Sequence, residues 1–86
     1  MDIEWQMKLL TGEIKISEEK DKKDKKTYTG TYKGKTFTNA SKEEVEKAIQ
    51  EALALEDKGL SFNVKNDENG ITVNGYKNIN GAKITL

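Results

Sequence analysis

An α+β fold is predicted for these 86 residues. It combines a small antiparallel β-sheet of about four to five strands, built from hairpins, with one α-helix over residues 41–58 packed on one face, in the order ββ(β)αββ(β). Three observations lead there. Residues 41–58 carry a helical apolar period behind a capping sequence, and the flanking segments alternate apolar with polar residues as strands do. Three Asn-Gly pairs, the strongest short hairpin signal, fall within the last eighteen residues.

The first segment alternates Ile3, Trp5, Met7 and Leu9 with Asp2, Glu4, Gln6 and Lys8, the period of a half-buried strand. After Leu10-Thr11-Gly12 the apolar phase moves to Ile14 and Ile16. A one-residue shift turns every later side chain to the other face, so a β-bulge or a tight turn is expected near Gly12. Residues 18–26 contain no apolar side chain and read as a charged hairpin tip or mobile loop within one domain spanning 1–86. Tyr28, Gly30 and Tyr32 then alternate with Thr27, Thr29 and Thr31 as a strand. A further phase change before Phe37 puts a bulge or turn at Gly34.

Ser41-Lys-Glu-Glu44 is a capping box, in which hydroxyl and carboxylate reciprocally satisfy free backbone amides. Behind it Val45, Ala48, Ile49, Ala52, Leu53 and Leu55 fall on an arc of roughly 160° at 100° per residue. Gly59 supplies the stop, with Leu60 placed to fold back in a Schellman contact. Phe62 and Val64 alternate next, residues 66–70 turn, and Ile71 and Val73 alternate again. Ala82, Ile84 and Leu86 close the chain on one face, and which of the Asn-Gly pairs make the turns stays open.

The stretch Thr27-Tyr-Thr-Gly-Thr-Tyr-Lys-Gly-Lys-Thr-Phe-Thr38, followed by a helix and hairpins, resembles the ββαββ plan of the immunoglobulin-binding domains of streptococcal surface proteins. The likeness spans residues 27–73 and is one of element order, so it implies a helix laid across a small sheet and assigns no binding residue.

Composition narrows the chemistry. Fifteen Lys balance fifteen acids, and Cys, His, Pro and Arg are all absent. A disulfide framework, a Cys or His metal site and Ser-His or Cys-His catalysis are thereby excluded. The adjacent acids Glu56-Asp57 and Asp67-Glu68 would need a cleft to separate their acidities, for which 86 residues of this composition offer little room, and no glycine run matches a phosphate-binding loop. The expectation is therefore a non-enzymatic chain without cofactor or metal. No stretch approaches the roughly 18 apolar residues of a membrane span, and Met1-Asp2-Ile3-Glu4-Trp5 does not read as a signal peptide, so a cytoplasmic location is expected. Seven Asn, seven Ile and fifteen Lys without Arg or Pro point to an AT-rich genome, such as that of a low-GC bacterium, its phage or an archaeal virus.

A small protein-binding module of interaction or inhibitor type follows, phage- or mobile-element-encoded in one version, acting through its sheet edge or exposed aromatics. Its partner is another protein, and monomer or homodimer stays open. The alternative is single-stranded nucleic-acid binding. Residues 20–35 hold seven Lys and two Asp, and Lys22, Lys23, Lys25 and Lys26 lie beside Tyr28 and Tyr32 as a charged, aromatic strand would require. Against it stand the missing Arg and the net charge of −3 on residues 41–58. Core packing is the competing role for these tyrosines and for Trp5. Tyr76, after an Asn-Gly pair, is the aromatic expected at a hairpin edge. A designed scaffold without biological task is a further alternative, which the phase breaks and the Asn-rich C-terminal third fit poorly.

Overall fold

The computed structural model describes residues 3–79 and 81–85. Its elements run α1 (Ile3–Thr11), β1 (Ile14–Lys20), β2 (Lys26–Tyr32), β3 (Lys35–Asn39), α2 (Lys42–Asp57), β4 (Ser61–Asp67), β5 (Gly70–Ile79) and β6 (Ala82–Thr85). The same order, one helix and three strands, thus occurs twice. Each triplet forms an antiparallel sheet, β1-β2-β3 and β4-β5-β6. The α+β class and the hairpins hold, but two helices and six strands replace the single helix and four to five strands expected. The stretch 27–73 does run ββαββ, though its strands belong to two different sheets.

The N-terminal segment is the main correction. It forms a helix, and of Ile3, Trp5, Met7 and Leu9 only Trp5 is buried. Gln, Met, Lys and Leu are good helix formers, and Glu4 meets Lys8 one turn on at 4.0 Å. Gly12, at φ +81°, accommodates the left-handed stop and donates its N–H to the Leu9 carbonyl at 3.3 Å. The phase change before Ile14 is therefore a change of element rather than a bulge.

Ser41 caps α2 by accepting the Glu44 N–H at 3.4 Å. Its own N–H goes to Asn39 Oδ1 and its hydroxyl to Glu43, in place of the reciprocal bond expected from Glu44. The C-terminus closes as a Schellman motif, Leu60 N–H to the Leu55 carbonyl and Gly59 N–H to that of Glu56. Lys33 (φ 50°) and Gly34 (φ 76°) form the two-residue β2–β3 turn. Of the Asn-Gly pairs, Asn69-Gly70 ends the β4–β5 turn and Asn74-Gly75 lies inside β5. Ile79 pairs with Ala82 across the β5–β6 hairpin, and Gly81 before Ala82 has φ +83°. Asn80 and Leu86 lie outside the described residues.

Helix α2 holds the two sheets together. Gly30 on β2 and Gly75 on β5, the central strands of the two sheets, both face it. A Cβ on Gly30 would stand 2.7 Å from Ile49 Cδ1, and one on Gly75 the same distance from Leu55 Cδ2. The core comprises Trp5, Ile14, Tyr32, Phe37, Val45, Ala48, Ile49, Ala52 and Phe62. Between the sheets, β3 lies against β4. The Asn66 amide there donates to the Thr36 carbonyl at 2.8 Å and accepts the Thr38 N–H at 2.9 Å. It thereby takes the two edge groups that a parallel strand's backbone would take. The molecule is long and flat, 48 × 31 × 18 Å with a radius of gyration of 14.0 Å, against about 12 Å for a compact chain of this length.

Candidate functional site

Three regions concentrate side chains that can act on a partner: the end of the molecule at Tyr32, the β1–β2 tip, and two exposed apolar faces.

At the first, the β2–β3 turn meets the C-terminal turn of α2 and the start of β4. Tyr32 is buried, its ring stacked on Phe62 with centroids 5.9 Å apart and planes within 3°. The Lys8 and Lys33 ammonium groups stand 5.7 and 5.5 Å from the ring centroid. The Glu56 carboxylate accepts a short hydrogen bond from the Tyr32 hydroxyl on one oxygen and one from Lys33 Nζ on the other. Burial first, then the Glu56 hydrogen bond and charge, push the phenol above its ordinary value. Burial would raise Glu56, but the Lys33 and Tyr32 hydrogen bonds outweigh it and hold the carboxyl below the usual range. An open depression of about 260 Å³ beside them is lined by Lys33, Lys35, Glu56, Ser61, Phe62 and Tyr76. A carboxylate tied to two donors and held ionised is a weak base, and a phenol held protonated is a poor nucleophile. This arrangement locks α2 to the β2–β3 turn.

The tip comprises residues 21–25. Asp21 organises it, its Oδ1 accepting the N–H groups of Lys23 and Lys25 at 2.8 and 2.9 Å. Lys22, Lys23, Lys25 and Lys26 are all exposed, and Lys26 reaches Glu18 at 3.5 Å. The tyrosines expected to accompany them lie on the α2 side of the sheet. Tyr32 is in the core and offers no open stacking face, while Tyr28 is half-buried against the core. Tyr76 is half-buried on the opposite face of its sheet, with Lys83 Nζ 4.5 Å from its ring centroid.

The third region was not singled out from the sequence. On α1, Ile3, Met7 and Leu10 fall within about 60° of one another at 100° per residue, on the side away from Trp5. They are 79, 52 and 81% exposed. On the other sheet, Ile79 and Ile84 share the α2-side face of the β5–β6 hairpin and are 46 and 44% exposed. Strand β6 is exposed throughout and forms the free edge of its sheet. The strand reading of residues 3–9 hid the first face, since alternation and a 3.6-residue period both place Trp5 and Leu9 together. For the second, the sequence put Ile84 on one face with Ala82 but did not mark Ile79 or its exposure.

Among the described residues no cluster of three Asp or Glu side chains is placed to hold a metal ion, and no helix is long and apolar enough to cross a membrane. The sequence matches no protein-family model, no curated protein and no solved structure.

Proposed function

We propose that this chain is a protein-binding module that performs no catalytic step and contacts its partner through the outer face of α1 and the β5–β6 hairpin. The observation that carries the reading is the exposure of Ile3, Met7, Leu10, Ile79 and Ile84 in a chain whose core, among the described residues, holds nine side chains. A lean domain that leaves large apolar groups in water has a use for them on its surface. The free β6 edge adds unpaired backbone groups beside Ile84, which suits pairing with a polypeptide.

The test passes nuclease-treated lysate of a low-GC bacterium expressing the untagged chain over the tagged chain. A polypeptide, foreign or a further copy, retained by wild type and lost with Ile79→Glu supports the reading. Retained material that nuclease removes, that salt elutes and that needs Lys22, Lys23, Lys25 and Lys26 instead would overturn it in favour of nucleic acid.

A further inference from the structure

The two exposed apolar faces lie at opposite ends of the sequence, and a comparison of the two helices isolates the first as unusual. Gly12 and Gly59 both have φ +81° and donate to the carbonyl three residues back, so they align α1 with α2. In that alignment Trp5 corresponds to Ala52, both buried, and Lys8 to Leu55, both half-buried. Ile3, Met7 and Leu10 correspond to Gln50, Ala54 and Asp57, which α2 turns to water. Helix α1 therefore carries a second apolar stripe where its counterpart carries a solvated face.

Charge selects the surface that fits it. On α1 the exposed charge is Glu4, since the Lys8 side chain is largely covered, whereas Lys77 is the charge on the hairpin face of Ile79 and Ile84, Lys83 lying on the opposite face with Tyr76. Glu4 and Glu13 approach Lys8 at 4.0 and 3.8 Å, yet their side chains stay 52 and 57% exposed. Lys77 pairs across the ladder with Ile84, so it sits on the same face as the exposed isoleucines. Two α1 stripes packed together would bring the exposed Glu4 carboxylates together, and two β5–β6 faces would bring Lys77 to Lys77. Packing α1 against β5–β6 brings Glu4 to Lys77 and apolar to apolar.

We propose that copies of this chain associate head to tail, with the Ile3, Met7, Leu10 stripe of one copy seated on the Ile79, Ile84 face of the next. The proposal rests on the protein-binding reading and names its partner as a second copy. The contact is heterologous, so each copy keeps one face free after pairing and the assembly extends with concentration. Five partly exposed side chains bury less than the about 1,000 Å² of a stable interface, so the dissociation constant is expected on the order of 0.1 mM.

Sedimentation equilibrium from 10 µM to 2 mM (roughly ten times below that value to twenty times above it) tests this on wild type, Leu10→Lys and Ile79→Glu. Both changes fall on exposed positions, circular dichroism checks each fold, and Ile84→Glu replaces Ile79→Glu if the latter unfolds. The expected result is a wild-type mass that keeps rising with concentration, faster at low salt, and two variants that stay monomeric. Their equimolar mixture forms a one-to-one dimer and stops, because each supplies the face the other has lost. Self-association of Ile79→Glu alone would mean α1 pairs with α1 and would overturn the proposal. Self-association of Leu10→Lys alone would mean the hairpins pair with each other, with the same consequence. A monomeric wild type at 2 mM also overturns it, while the retention experiment above still decides separately whether another protein is bound.

Discussion

Tyr32 shows how one side chain links three elements. Its ring fills the core on β2, its hydroxyl reaches Glu56 on α2, and Lys8 of α1 lies near its face. Removing the hydroxyl in Tyr32→Phe keeps the ring and is expected to cost about 1 kcal/mol at pH 7. That difference depends on pH at both ends. Glu56 has a lowered folded pKa, so its contribution is present above the unfolded value near 4.3 and is lost as pH falls through the folded one. Tyr32 has a raised folded pKa, so its contribution is present below about pH 10 and is lost as pH rises beyond it. Urea titrations of wild type and Tyr32→Phe at pH 3, 7 and 10.5 should show the gap widest at pH 7. A gap that does not change with pH would refute the Tyr32–Glu56 coupling.

At the scale of elements, α2 owes its position to two glycines of unequal tolerance. Gly30→Ala sets a methyl 2.7 Å from Ile49 Cδ1 and 2.8 Å from Val45 Cγ1, and both neighbours are fully buried and β-branched. Gly75→Ala meets the end of the Leu55 side chain first, at 2.7 Å from Cδ2, and Leu55 is half-buried rather than fully enclosed. The first change is expected to destabilise by about 1–3 kcal/mol and the second by under about 1 kcal/mol, read as denaturant midpoints. Equal losses would argue that the helix rides both sheets with the same closeness. Helix α2 itself was legible from Ser41 to Leu60 because capping, period and stop are all local. Helix α1 was not, because nine residues satisfy the strand and helix patterns together and only the seating of Trp5 separates them. Asn74-Gly75 misleads in the same way: Gly75 serves packing against Leu55 rather than a turn. The Tyr32–Glu56 pair spans 24 positions, and nothing in the residues between announces it.

Across the whole molecule, the two sheets meet at a seam where, among the described residues, the Asn66 side chain makes two hydrogen bonds to β3. Helix α2 covers the seam and packs on strands of both sheets. The halves should therefore unfold together, with one transition seen by Trp5 fluorescence and by amide exchange in β2 and β5. Asn66→Ala is expected to lower that single transition by about 1 kcal/mol and to strip protection from the Thr38 amide ahead of its neighbours. A Thr38 amide still protected in Asn66→Ala would mean that backbone pairing, and not the side chain, closes the seam. The length of the molecule follows from the same layout, since two three-stranded layers laid edge to edge spread area that a single rounded sheet would fold inward.

The β1–β2 tip invites use as a cloning site. Asp21 satisfies the amides of Lys23 and Lys25 by itself, and its own N–H closes onto the Lys25 carbonyl at 3.0 Å, so residues 22–24 hang from a loop already tied at its base. Foreign sequence spliced between Lys22 and Lys23 would be displayed on a stalk remote from both apolar faces, leaving them free to report whether the guest has disturbed its host.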